Sequence, residues 1–220
     1  MILNTSCAIS GTGFLVSDEI IKRNNGWKYH LLTEDLEFSV DIVLKGEKIG
    51  YCHKAKFYDE QPFTFKQSWN QRLRWSKGFY QVFKKDGWNL FINIFKNKSF
   101  SSFDMLMTIA PAMFISLLGL LVNFTVFIIS ILNNTDMLLV HQATLSIIFT
   151  IFNYYLTLFA FGALTTITEW KEIRATAFEK ILYTFTFPLF IATYIPIAIV
   201  ALFKKVEWKP IEHTIIIENT

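Results

Sequence analysis

Apolar and polar positions divide this chain into two parts of different character. Residues 1–103 alternate polar and apolar side chains as a folded domain with a wet surface does, whereas residues 104–203 hold three long, nearly uninterrupted apolar stretches. The stretches run over about 104–132, 138–168 and 181–203. A helix rises ~1.5 Å per residue and a bilayer core is ~30 Å thick, so the first two are long enough to cross. Backbone groups in lipid must bond within their own segment, which leaves helix as their expected state. Pro188 and Pro196 interrupt the third stretch.

In the polar part, Leu36, Val40, Val43 and Leu44 recur at helical spacing and Gly46 follows as a stop. Thr33 is placed to cap this helix, with Glu34 and Asp35 in the first turn, where the helix dipole favours carboxylates. Lys48 to Ala55 reads as a short strand. Thr64 opens a second helix, with Gln67 at the capping-box position. On it Gln71, Arg74 and Trp75 stand at i, i+3 and i+4 and share one face. From Phe79 to Phe95 aromatic and aliphatic residues mix with Lys84, Lys85 and Asp86, the composition of a helix lying in a membrane interface. Packing on the protein's own core is the alternative for that segment.

Composition agrees with membrane integration. Hydrophobic residues make up 52% of the chain, including 23 Phe, more than one soluble core of this size buries. Lys and Arg are interspersed with Asp and Glu at a net charge of +3, which argues against a nucleic-acid partner and favours membrane lipid. Met1–Ser10 lacks a basic segment followed by an apolar core, so the polar part is expected on the cytoplasmic side of the cell membrane. The link Asn133–Met137 has no basic residue and should face outside, whereas Glu169–Lys180 carries Lys171, Arg174 and Lys180 and should face the cytoplasm. A third simple crossing would send Lys204, Lys205 and Lys209 outside, against that rule. Cys7 and Cys52 have no metal-type spacing, and His30, His53, His141 and His213 are scattered, so no metal site is expected from them.

Three short segments carry the candidate chemistry: Ser10-Gly11-Thr12-Gly13-Phe14, Thr33-Glu34-Asp35 and Gln71-Arg72-Leu73-Arg74-Trp75. Each alone is a common pattern. In this order, ahead of an amphipathic helix and apolar spans, they resemble the processive membrane-bound glycosyltransferases of family 2, the group of cellulose, hyaluronan, chitin and poly-N-acetylglucosamine synthases. The resemblance implies an α/β, GT-A-like catalytic fold, of which residues 1–63 would be the C-terminal, acceptor-side part. Residues 64–103 would be amphipathic interfacial helices, 104–203 a multi-pass transmembrane region and 204–220 a tail. It implies Asp35 as the general base, with Glu34 beside it. It places Gly11, Thr12, Gly13, Thr33, Gln71, Arg74 and Trp75 at the acceptor or the leaving diphosphate. The chemistry is reasonable on its own terms: a sugar hydroxyl needs a carboxylate to take its proton, a departing diphosphate needs a fixed cation, and an indole stacks on a sugar ring. Trp208, near the end, matches loosely the Trp-containing gating segments of some members, and an aromatic anchor at the membrane edge is the alternative.

The complete family enzyme would take a nucleotide-sugar donor, a glycan acceptor and Mg2+ or Mn2+, the metal held by an Asp-x-Asp motif. No Asp-x-Asp occurs in this sequence. The expectation is therefore a C-terminal portion, inactive alone, whose donor-binding half is missing or supplied separately. A small membrane transport or scaffold protein with a cytosolic interaction module is the competing reading.

Overall fold

The computed structural model describes residues 5–52, 54–110, 112–132 and 137–208. Residues 133–136 of the link expected to face outside (Asn133–Met137), His53, and the tail from Lys209 on, His213 included, lie outside them. The chain divides into two compact units, one formed by residues up to 111 together with 197 onward, the other by residues 112–196.

The first unit is built around α2 (Glu34–Leu44), which follows the short α1 (Asp18–Arg23). Leu36, Val40 and Val43 face α3 (Phe65–Lys96) and α4 (Phe100–Ile109), where Val82, Leu90, Met105, Leu106 and Ile109 complete one cluster. The opposite side, Phe38 and Ile42, packs with Tyr29 against Ile9, Val16, Ile20 and Ile49. A helix buried on both sides is a central element, and each fully buried Val or Ile on it contributes ~1.5–3 kcal/mol. Its C-terminus closes as expected: Gly46 has φ +81°, and Gly46 N–H and Glu47 N–H donate to the carbonyls of Val43 and Ile42. Thr64 and Gln67 form the capping box that opens α3.

Two expectations change here. The helix expected from Asp104 to Leu132 is divided, because α4 ends at Ile109, Ala110 takes the extended ψ of 134° that precedes a proline, and α5 starts at Ala112. Residues 104–109 are apolar because Met105, Leu106 and Ile109 fill the α2–α3 core, so they belong to the first unit. Among the described residues there is no strand, and the segment expected as a strand from Lys48 is extended without a ladder. Cys7 N–H donates to Ile49 O at 3.0 Å, but Ile49 N–H turns to the Ser6 hydroxyl at 2.9 Å, so one backbone bond stands where a ladder would need several. The α/β character expected of residues 1–63 is thus not present among the described residues.

Along α3 the 79–95 segment presents two apolar faces, one packed on the protein's own core and one exposed. Val82 and Leu90 are buried with Phe79 and Ile94 against the core. Trp88, Phe91, Ile92 and Phe95 recur at i, i+3, i+4 and i+7 and remain exposed, with Trp88 stacked on Phe91 at 5.4 Å.

The second unit comprises α5 (Ala112–Leu132), α6 (Met137–Thr168), α7 (Ala177–Ala192) and the first residues of α8 (Tyr194–Phe203). Two helical stretches, Met137–Thr168 and Ala177–Phe203, are long and apolar enough to cross a membrane. Hydroxyls on these helices turn back onto carbonyls one turn earlier, as Thr125, Ser130, Thr144, Thr150 and Thr165 do. Others bridge neighbours: Ser146 Oγ donates to Asn123 Oδ1 at 2.9 Å, and Thr166 and Thr184 share a bond of 2.8 Å. The third apolar stretch starts at a capping box of Thr176 and Glu179, carries a buried Pro188, and breaks at Thr193.

Candidate functional site

Asp35 stands at the head of α2, and its surroundings follow from how that head is held. Ser39, one turn on and fully buried, donates to Asp35 O at 2.8 Å and accepts Ile9 N–H at 2.9 Å. That hydroxyl pins the segment leading into the Gly-Thr-Gly loop onto the first turn of α2. Gly11 lies beside the Asp35 carboxylate, and its backbone N–H bonds to it. Gly13 has φ +69°, which favours glycine, and its Cα faces the Phe57 ring. Thr12, between them, is exposed.

The Asp35 carboxyl is raised above the usual carboxylate range, first by burial and then by the nearby Glu34 charge. Backbone N–H groups oppose the shift: Leu36 N–H donates to Oδ1 at 2.8 Å, and Gly11 N–H also contributes. A partly desolvated carboxylate whose proton affinity is raised, beside an exposed loop, is suited to taking a proton from a ligand.

Thr33 occupies the capping position of α2, but its side chain makes no capping bond. The residue is buried, at 6% exposed. The cause is α3: a Cβ placed on Gly78 would lie 2.4 Å from Thr33 Cγ2 and 2.5 Å from Oγ1. Thr33 is packed directly under the α3 backbone.

Further contacts join the same two elements. Leu32 N–H donates to Gln81 Oε1 at 3.2 Å, and Lys85 Nζ donates to Glu37 Oε1 at 2.7 Å. Gly78, Gln81 and Lys85 form one stripe along α3, and the same stripe continued backwards reaches Trp75, Arg74 and Gln71. At ~1.5 Å per residue, Arg74 lies ~6 Å and Gln71 ~10 Å along the helix from Gly78. The sequence-predicted residues of both motifs therefore sit on elements in direct contact, with the α3 residues one to two turns beyond the contact point.

The end of α8 joins this helix. Ile197 and Ala201 are buried with Leu73 and flanked by Trp69 and Tyr80. Tyr80 OH donates to Ala198 O at 3.1 Å, and Lys77 Nζ to Ala201 O at 2.9 Å, a cation at a helix C-terminus. Beyond α8, the Trp208 ring lies 5.8 Å from the Arg74 guanidinium. Sequence reasoning named Trp208 but not this partner, and it missed Ser39, Glu37, Gly78, Gln81 and Lys85. Glu37 carried a legible signal, being a carboxylate inside the buried helical stretch. Among the described residues no three His, Cys, Asp or Glu side chains converge as metal ligands.

A family model described as glycosyl transferase family group 2 matches residues 1–204. The chain belongs to that family. A Bacillus subtilis (strain 168) relative, the probable glycosyltransferase YdaM, is 34% identical over 77 residues, 35% of this chain and 18% of that protein. The poly-beta-1,6-N-acetyl-D-glucosamine synthase of Staphylococcus epidermidis is 31% identical over 81 residues, 37% of this chain and 20% of that protein. A probable glucomannan 4-beta-mannosyltransferase of Oryza sativa subsp. japonica is 37% identical over 76 residues, 34% of this chain and 13% of that protein. This member of glycosyl transferase family group 2 thus matches no more than a fifth of the length of these relatives. No solved structure matches the chain.

Proposed function

We propose that this family group 2 chain is the acceptor-side part of a membrane glycosyltransferase that extends a polysaccharide from a nucleotide-sugar donor. Asp35 is the general base that deprotonates the acceptor hydroxyl, and Glu34 raises its proton affinity. Gln71, Arg74 and Trp75 line the approach, Arg74 serving the charge of the leaving diphosphate and Trp75 the sugar face. One observation carries the reading: the desolvated Asp35 carboxylate lies against the Gly11 backbone, on a helix head gripped by the same α3 stripe that bears Arg74. The relatives' names, a glucosamine-polymer synthase and mannosyltransferases, support polymer synthesis as the reaction class.

Donor and metal binding are assigned to residues other than these, because the sequence has no Asp-x-Asp and the described residues offer no metal-ligand cluster. The isolated chain is then inactive. The multi-pass region anchors the site at the cytoplasmic face. Residues 197–208 pack in the same unit as the site, so Lys204 and Lys205 are assigned to its side, which removes the conflict with the positive-inside rule.

The test is exchange. A chimera in which residues 5–110 replace the corresponding stretch of the Staphylococcus epidermidis synthase should form polymer, and Asp35→Asn in it should not, while UDP-N-acetylglucosamine binding stays unchanged. Turnover retained by Asp35→Asn would remove Asp35 from the role of base. Micromolar, metal-dependent UDP binding by the purified chain alone would overturn the assignment of donor binding elsewhere.

A further inference from the structure

Glu37 is 4% exposed, and a carboxylate taken out of water costs several kcal/mol unless its oxygens are satisfied. Three donors meet it. Oε2 accepts His30 N–H and Leu31 N–H, both at 3.0 Å, and Oε1 accepts Lys85 Nζ at 2.7 Å. The two backbone donors belong to the segment that runs straight into Thr33-Glu34-Asp35. Glu37 therefore folds that approach back onto the first turn of α2, while Lys85 anchors the closed turn to α3. Gln81, one helical turn before Lys85, takes the next backbone donor, Leu32 N–H, at 3.2 Å. Between His30 and Leu32 each N–H is thus fixed by a side chain, one from α2 and one from α3.

We infer that Glu37, Lys85 and Gln81 are positioning residues that set the distance between the Asp35 carboxylate and the α3 stripe bearing Arg74 and Gln71. The inference rests on the reading of Asp35 as the base. Its chemical logic is that of an over-determined turn. A base and a cation on different helices act on one ligand only if those helices keep a fixed register, and packing of Thr33 under Gly78 alone fixes the gap but not the rotation. Two polar links to α3, at Leu32 and Glu37, fix the rotation. A buried ion pair is a poor device for stability, since apolar residues of the same volume fill such a site as well, and is suited to register.

Labelling of carboxyl groups in the full chain, in detergent, tests this without turnover. Carbodiimide activates protonated carboxyls, so labelling with glycinamide across a pH series, read by peptide mass spectrometry, gives a midpoint for each residue. Asp35 should label with a midpoint above that of an ordinary aspartate, the group facing it being Glu34. In Glu37→Gln, which keeps an acceptor for the backbone donors but loses the ion pair, the Asp35 midpoint should fall toward the ordinary aspartate value as water reaches it. Lys85→Met should do the same and Lys85→Arg should not. Lys85→Met leaves the buried Glu37 with its two backbone donors but no cation, whereas Lys85→Arg keeps the pair, so thermal melting of each variant beside the labelling separates a local change from unfolding. An unmoved Asp35 midpoint in Lys85→Met overturns the inference, as does a rise in labelling throughout the chain, which would mark general loosening. If Asp35→Asn retained turnover in the chimera, the base reading would fail separately, because labelling reports where Asp35 lies and not what it does.

Discussion

Gly78→Ala is the smallest change that should separate Asp35 from its partner helix. The added methyl would meet Thr33 at 2.4 Å (Cγ2), 2.5 Å (Oγ1) and 2.9 Å (Cβ), against ordinary contacts of ~3.5–4.0 Å. Thr33 is β-branched, buried and short, so it has no flexible end to swing away, and the helices must part by about 1 Å. Overpacking of this kind costs ~1–3 kcal/mol, while alanine in a helix interior is ~1 kcal/mol better than glycine. The net loss of stability is then between about zero and about 2 kcal/mol, and the variant folds. Function should suffer more, since a misplacement of ~1 Å at reacting groups costs ~10²-fold. The assay is polymer formation by the Staphylococcus epidermidis chimera at saturating donor, with thermal melting in parallel. Thr33→Ala added to Gly78→Ala removes the two closest contacts and leaves the one at 2.9 Å, so it should restore part of the rate. Wild-type turnover in Gly78→Ala would refute the claim that this contact sets the position of the base. So would equal loss of rate in the single and double variants.

Asp35→Asn should abolish transfer without lowering stability at neutral pH. Its raised folded value means that Asp35 contributes stability below the ordinary aspartate range and loses it as pH rises through the folded value, so the variant's advantage in a melting series should close as pH falls through that window. For the same reason the acid limb of the chimera's rate profile should lie above the ordinary carboxylate range. Gly13→Ala should cost ~1–2 kcal/mol in a denaturant titration, from its φ of +69°, and Gly13→Asn less; the exposed Phe57 ring is free to yield. Lys77→Met should free the end of α8 from α3, seen as faster proteolysis at Lys204 and Lys205 and loss of Trp208 fluorescence quenching by Arg74.

What could be read from the sequence was local. Leu36, Val40 and Val43 mark α2 because helical spacing is set within two turns, and Thr64 with Gln67 mark the start of α3 because a capping box spans four residues. What could not be read is the pairing of distant positions: Thr33 with Gly78, Glu37 with Lys85, Ser39 with Ile9, Lys77 with Ala201. The Asp104–Ile109 boundary failed for a related reason, since apolarity alone does not distinguish a helix buried under α2 and α3 from one facing lipid. Apart from Ser39 with Ile9, each of these misses adds a contact to α3, which meets the Asp35-bearing turn through Gly78, Gln81 and Lys85, the first-unit core through Val82 and Leu90, and the end of the apolar region through Leu73, Lys77 and Tyr80. The residues expected to act on a sugar, Gln71, Arg74 and Trp75, lie on this helix beside the attachments to α8. A displacement of α8 relative to α3 would therefore act on Arg74 through Trp208 and Lys77 before it reached Asp35. That order places Arg74 and Lys77 between the attachments to α8 and the contacts of α3 with the Asp35-bearing turn.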